Sequence, residues 1–228
     1  MAKRKKKKRS ARRQQGGPQA VRHIEYEITS EPILDSSYKR LPRAVKDAID
    51  RLYYESQGHP HQAIPELVDL MEKYPHIPVL YNYLSVAYSR SGQTEKAQEV
   101  IRENYQRNPD YLFARLNYAQ LYLAEGNYEK IAEILEHKFD LKLLYPKRKR
   151  FHITEVANFM GLVGIYFFET GKRDAAEMYY GVLKDIAPDY PMTKMLRKRL
   201  HPGFFRRILN RLADWAQAES ASSSSDPS

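Results

Sequence analysis

Small, aromatic and proline positions recur along this chain at one interval, set among polar stretches of helical length. Gly58, Gly92 and Gly126 are 34 residues apart, and Gly171 follows after 45, the same interval plus an insertion of 11. Tyr54, Tyr88, Tyr122 and Phe167 keep these intervals, as do Ala63, Ala97, Ile131 and Ala176. Pro75, Pro109 and Pro188 form a fourth column, with Leu143 where the third copy would need a proline. Such self-similarity predicts stacked helix pairs, because one pair cannot bury both its faces and neighbours must cover them. Ser85, Ala119 and Gly164 are small enough to let paired helices approach, and Tyr88, Tyr122 and Phe167 fill the space three residues further along that face. Gly92, Gly126 and Gly171 are predicted at helix ends that need a left-handed backbone, with Thr94, Asn127 and Asp174 near the next helix start.

The period and these residue types resemble the tetratricopeptide repeat family over residues 44–190. The second copy carries the resemblance best, with Tyr81, Leu84, Ser85, Tyr88, Ala97, Ile101 and Pro109. The fourth follows with Gly164, Phe167, Gly171, Ala176, Tyr180, Leu183 and Pro188. Arg51 stands where a small residue is usual, and Asn104 and Lys138 replace a preferred alanine. The resemblance implies an all-α fold: a short right-handed solenoid of four helix pairs at 44–77, 78–111, 112–145 and 157–190, interrupted by an insertion at 146–156. Most of the 18 tyrosines are then expected in the core.

Outside the repeats the pattern changes. Ile24, Tyr26 and Ile28 alternate with His23, Glu25 and Glu27, which suits a short extended segment or a lead-in lying on the first repeat, within a stretch spanning 23–43. Residues 191–218 read as capping or amphipathic helices. Met192, Met195 and Leu196 come first, then, after Pro202 and Gly203, an apolar stripe of Phe204, Phe205, Ile208, Leu209, Leu212 and Trp215 opposite Arg206, Arg207 and Arg211. That stripe serves either to cap the array or to lie on a membrane surface. The serine-rich stretch 219–228 reads as a disordered tail.

A formal charge of +10 suggests a nucleic-acid-binding protein until its location is read. Residues 1–22 hold ten bases, among them Lys5, Lys6, Lys7, Lys8 and Arg9, and no acid; the remaining chain has 28 bases against 28 acids. This predicts a disordered basic tail on a neutral body, either solubilising or attaching non-specifically to polyanions. Lys147, Arg148, Lys149 and Arg150 in the insertion form a second candidate anion contact, which would act together with the tail. The alternative is a solvated loop.

The chemistry of catalysis is missing from the sequence. There is no cysteine, phosphate-cradling loop, dinucleotide fingerprint or paired-histidine zinc helix, and His59 and His61 flank Pro60 with no third ligand in view. Neither enzymatic activity, a metal nor a cofactor is expected. No apolar run reaches the length of a membrane span, and no secretory signal is read, so the cytoplasm is the expected compartment, or the nucleus if the source is eukaryotic.

The resemblance implies a protein-binding scaffold whose first helices line a concave groove for a peptide or helix. Carried onto this chain, the groove residues are Asn82, Val86 and Arg90; then Phe113, Leu116, Asn117 and Gln120; then Asn158, Ile165 and Phe168. The clamp by which some members hold chaperone carboxylates is not expected, since Val86 and Leu162 occupy polar clamp places. Two other readings stand beside the scaffold: an RNA- or ribosome-associated adaptor using the basic tail, and a peripheral membrane adaptor using residues 204–218.

Overall fold

The computed structural model describes residues 26–33 and 36–203. It is an all-α repeat solenoid whose helix pairs are α2 (Arg43–Gly58) with α3 (Pro60–Lys73), α4 (Pro78–Arg90) with α5 (Thr94–Arg107), α6 (Leu112–Glu125) with α7 (Tyr128–Ile134), and α9 (Ile153–Glu169) with α10 (Arg173–Ile186). A short α1 (Ser36–Lys39) precedes them, α8 (Leu141–Leu144) lies in the insertion, and α11 (Pro191–Leu200) closes the described array. The stretch 204–218 and both terminal tails lie outside the described residues.

The glycine and aromatic columns are two halves of one device. Gly92, Gly126 and Gly171 have φ of +78°, +71° and +77°, so each ends its helix in the left-handed conformation that glycine takes without a Cβ penalty. The following N–H then reaches back to the carbonyl of the aromatic column. Gln93 donates to Tyr88 O and Asn127 to Tyr122 O, both at 2.9 Å, and Lys172 to Phe167 O at 2.8 Å. Asn127 also caps α7 through its side chain, and proline at the first turn of α3, α4 and α11 removes an N–H that would have no partner there.

The first pair departs from this scheme. A single residue, His59, separates α2 from α3, and Gly58 stays helical. The buried face of α2 is therefore Ile49, Leu52 and Ser56, while Tyr54 is 72% exposed. The expected wedge of this repeat is thus a surface residue. Arg51, anomalous as a packing residue, is likewise on the surface and binds Glu55 and Glu66 at 2.6 Å each.

The third pair is cut short. α7 stops at Ile134, after which Glu136 and His137 adopt φ of +53° and +54°. The irregular segment thus begins about ten residues before the expected 146, and α9 begins before 157. Arg115, 5% exposed, makes this stop tolerable: its guanidinium donates to Ile134 O and Glu136 Oε1 at 2.8 Å each, and to Pro109 O at 3.2 Å. A buried charge supplied with three acceptors escapes most of the penalty of desolvation. Phe139 then fills the place of the missing half-helix, its ring 5.0 Å from Tyr166 and 5.1 Å from Phe167.

The segment before the repeats does not rest on the first repeat alone. β1 (Glu27–Thr29) pairs in parallel with β2 (Arg150–His152), matching Glu27 to Arg150, Ile28 to Phe151 and Thr29 to His152. Tyr26 packs edge-on to the buried Phe151, with ring centroids 5.0 Å apart. Ile28 stays 39% exposed, so the alternation buries Tyr26 without it. Nine residues beyond Thr29, Tyr38 donates to Asp50 Oδ1 on α2, and Lys46 Nζ donates to Lys39 O, at 2.9 and 2.7 Å. The chain thus runs as a strap from the approach to the fourth pair back to the first, a reach of at most about 30 Å for nine residues.

Among the described residues two hydrophobic clusters make up the core, one among α2, α3, α4 and Val100 of α5 and the other from α6 to α11. At the end of the second cluster α11 lies directly on α9. A Cβ on Gly161 would sit 2.4 Å from Met192 Cβ, so that position depends on glycine for this approach, while one on Gly164 would meet the movable Leu196 Cδ2 at 2.5 Å.

Candidate partner-binding face

Between the two clusters runs a seam of amides. Asn104 on α5, 2% exposed, donates to Asn82 Oδ1 at 3.0 Å and to Pro78 O at 3.2 Å, and accepts from Asn108 Nδ2 at 3.0 Å. Asn117 on α6 also donates to Asn82 Oδ1, at 3.2 Å, and Asn82 Nδ2 lies 3.3 Å from the Tyr111 hydroxyl. Asn104 replaces the usual alanine because its side chain ties α4 to α5 while Asn82 carries the link on to α6. Buried amides satisfied in this way fix one register of packing, where apolar side chains would tolerate several.

On α4, Asn82 faces α6 and Tyr83 faces α2, where its ring meets Tyr53 at 5.6 Å. Val86 lies one turn further along, 36% exposed, and Arg90 is exposed at the helix end. Tyr53 and Tyr54 stand edge to face at 5.0 Å and are 46% and 72% exposed. Burial pushes the Tyr83 phenol well above its ordinary range, so it is a neutral hydroxyl at the base of this patch. Tyr53, Tyr54 and Tyr83 were not among the residues expected in the groove. The signal for them is the pair 53–54: adjacent helical residues point about 100° apart, so both cannot enter one core.

The expected groove residues divide. Phe113, Asn117 and Gln120 of α6 are half-buried beside the seam, with Phe113 5.9 Å from the ring of Tyr111. Asn158 is half-buried, its amide donating to Thr154 O at 2.7 Å, and Phe168 is half-buried under the Arg173 guanidinium at 5.9 Å. Leu116 and Ile165 have no exposed surface and belong to the core, which corrects their assignment. α9 is covered by α6, α10 and α11, and residues 161–165 are buried throughout. Only the ends of α9 keep polar or exposed positions.

The second expected site, the basic run of the insertion, also divides. Arg148 forms a two-pronged pair with Glu155 at 3.0 and 2.7 Å, and lies over the Phe151 ring at 4.2 Å. Arg150 pairs with Glu27 at 3.1 Å and Glu31 at 3.4 Å. Arg150 thus ties the strap to the insertion and Arg148 braces the insertion against α9, each with its charge already paired. Lys147 and Lys149 are exposed and form no ion pair among the described residues. Lys5 to Arg9 lie outside the described residues.

An open cleft of about 280 Å³ between α5, α6 and α7 is lined by Tyr105, Tyr118, Lys130, Glu133 and Ile134. Its two charges pair with each other at 2.6 Å, and a hydrogen bond to Tyr122 and burial push the Tyr118 phenol up to about 12. Among the described residues, no helix is long and apolar enough to cross a membrane.

No protein-family model matches this chain. A curated protein of Bacillus subtilis (strain 168), TPR repeat-containing protein YvcD, is 30% identical over 120 residues, which is 53% of this chain and 24% of the relative. The chain spans about a quarter of that relative's length. The similarity agrees with the tetratricopeptide resemblance of the glycine and aromatic columns and extends over about half the chain.

Proposed function

We propose that this protein is a protein-interaction scaffold that binds a peptide or helix of a partner across α2, α4 and α6. The observation that carries this reading is the exposed strip of Tyr53, Tyr54 and Val86 bordered by the amides of Asn117 and Gln120. Aromatic surface of this kind binds at little entropic cost, and amides beside it suit the backbone of an extended or helical segment. The name of the similar Bacillus protein, as a repeat-containing protein, is compatible with such a role.

The test is site-specific photocrosslinking of the full chain in cells of its source, with the reactive group at Tyr54, at Val86, or at Met178 on α10. The expected result is a discrete adduct from Tyr54 and Val86 that is lacking from Met178. Exchange of Tyr54 for alanine should then weaken the captured partner about 10- to 100-fold, which corresponds to roughly 55–110 Å² of its surface covered by the partner at ~25 cal/mol per Å². Equal labelling from all three positions would reject the reading.

A further inference from the structure

One end of the aromatic strip carries a charge that the packing of the helices leaves without a cation. Asp50 on α2 comes one turn before Tyr53 and Tyr54, and helical residues three and four apart share a face. Its exposed carboxylate accepts the Tyr38 hydroxyl at 2.9 Å and makes no ion pair among the described residues. The cations of α2 are turned elsewhere. Lys46 lies over the Tyr38 ring and donates to Lys39 O, Arg43 reaches Asp47 at 3.9 Å, and Arg51 is taken by Glu55 and Glu66. Tyr83 of α4 closes the cluster through its ring contact with Tyr53. Burial first, then Tyr53 and the charge of Asp50, raise the Tyr83 phenol, and Tyr38 is held up to about 12 by burial and then by its hydrogen bond to Asp50. Both phenols are therefore neutral near physiological pH, and the formal charge beside the exposed rings of Tyr53 and Tyr54 is that of Asp50.

We infer that this end of the strip seats an arginine of the partner segment, its guanidinium stacked on Tyr53 and Tyr54 and paired with Asp50. The inference rests on the scaffold reading above and names the chemistry of the partner. A guanidinium is planar and weakly hydrated, so it can lie on an aromatic face while its N–H fork meets a carboxylate; an ammonium is a compact, strongly hydrated charge without that fork. An acidic side chain would be repelled by Asp50. A purely apolar one would cover the carboxylate and leave it desolvated without a partner, which is costly. Val86 is three residues past Tyr83 and so shares its face, which gives an apolar residue next to the arginine a place to pack. Arg90 lies two turns past Tyr83, about 10 Å along α4. The strip is thus acidic at one end and basic at the other, and a partner lying along it is read in one direction.

The test pans a phage library of random short peptides on the full chain and measures the selected peptides, labelled, by fluorescence anisotropy. The expected result is an arginine shared among them. Affinity should fall about 5- to 30-fold for Asp50→Asn, and by the same factor when that arginine is replaced by citrulline, its uncharged isostere. The two changes together should cost little more than either alone, since each removes the same contact. Asparagine keeps the acceptor for the Tyr38 hydroxyl at an exposed position, so circular dichroism should show an unchanged fold. Asp185→Asn, at an exposed acid on α10, should leave the affinity as it was. Peptides that depend on Tyr54 but share no arginine, or that bind Asp50→Asn as tightly as the parent, overturn this inference and leave the scaffold reading standing. A library that yields no peptide sensitive to Tyr54→Ala overturns both. Sedimentation of the parent as a dimer that Asp50→Asn dissociates would assign the strip to a second copy of the chain and overturn the inference as well.

Discussion

The approach of α11 to α9 can be tested by setting two glycines against each other. Gly161 and Gly181 both lie inside long helices, so alanine should gain about 1 kcal/mol of helix propensity at either. At Gly181 nothing stands within 4 Å of the new Cβ, and that gain should appear in full. At Gly161 the Cβ would meet Met192 Cβ at 2.4 Å and the Met192 backbone carbon at 3.3 Å, well inside the 3.5–4.0 Å of ordinary carbon contact. No rotamer change relieves a clash with a Cβ and a backbone atom, so α11 must recede by about an ångström, exposing part of Met192 and Leu196. Overpacking of this type costs about 1–3 kcal/mol, and the rigidity of the neighbour puts this case near the upper end. The net expectation is a loss of about 1–2 kcal/mol for Gly161→Ala and a gain of about 1 kcal/mol for Gly181→Ala. In a chain of this size the two should melt roughly 5–10 °C apart by circular dichroism. If Gly161→Ala melts at or above Gly181→Ala, the close packing of α11 on α9 is not how the array ends.

Asn104→Ala restores the residue usual at its position yet should destabilise by about 1–3 kcal/mol, since three hydrogen bonds at the seam are lost and Pro78 O is left without its amide donor; a fall in the urea midpoint checks it, and an unchanged midpoint would show that the amides contribute no net stability. Glu136 gives the pH dependence: hydrogen bonds from Lys138 first and Arg115 second hold its carboxyl below the usual range. Its contribution is therefore complete above the unfolded value near 4.5 and lost as pH falls through the lower folded value. Glu136→Gln should flatten that part of the urea midpoint against pH, and a parallel curve for parent and variant would contradict the assignment.

The parts of the fold legible in the sequence are those that a local rule enforces. The left-handed turn demands glycine at 92, 126 and 171, and the carbonyl it satisfies belongs to the aromatic column, so two columns report one hydrogen bond. Where the chain achieves the same end by other means, the sequence is silent. Glu136 and His137 take the left-handed conformation without glycine because Arg115, some twenty residues earlier, secures them from the core. The α2 register was hidden for the opposite reason: Gly58 keeps the interval but stays helical, since the one-residue turn at His59 needs no left-handed glycine. Of the candidate face, Val86 and Asn117 came from the family resemblance and keep accessible side chains, whereas Leu116 and Ile165 came from it too and are buried by neighbours that the period does not reveal; the α2 tyrosines depended on the shifted register. The alternation at Tyr26 and Ile28 announced a strand but not its partner, since hydrophobic pattern carries no information about which distant edge is open.

The strap also imposes an order on synthesis. Helix pairs close with neighbours already made, so α2 to α5 can pack while the rest of the chain is still being assembled. β1 cannot, because its first residue awaits Arg150, more than a hundred positions later. During that interval β1 has no edge to pair with. The contact made by β1 therefore waits until the first three helix pairs have been made, and it can close before the fourth pair is complete.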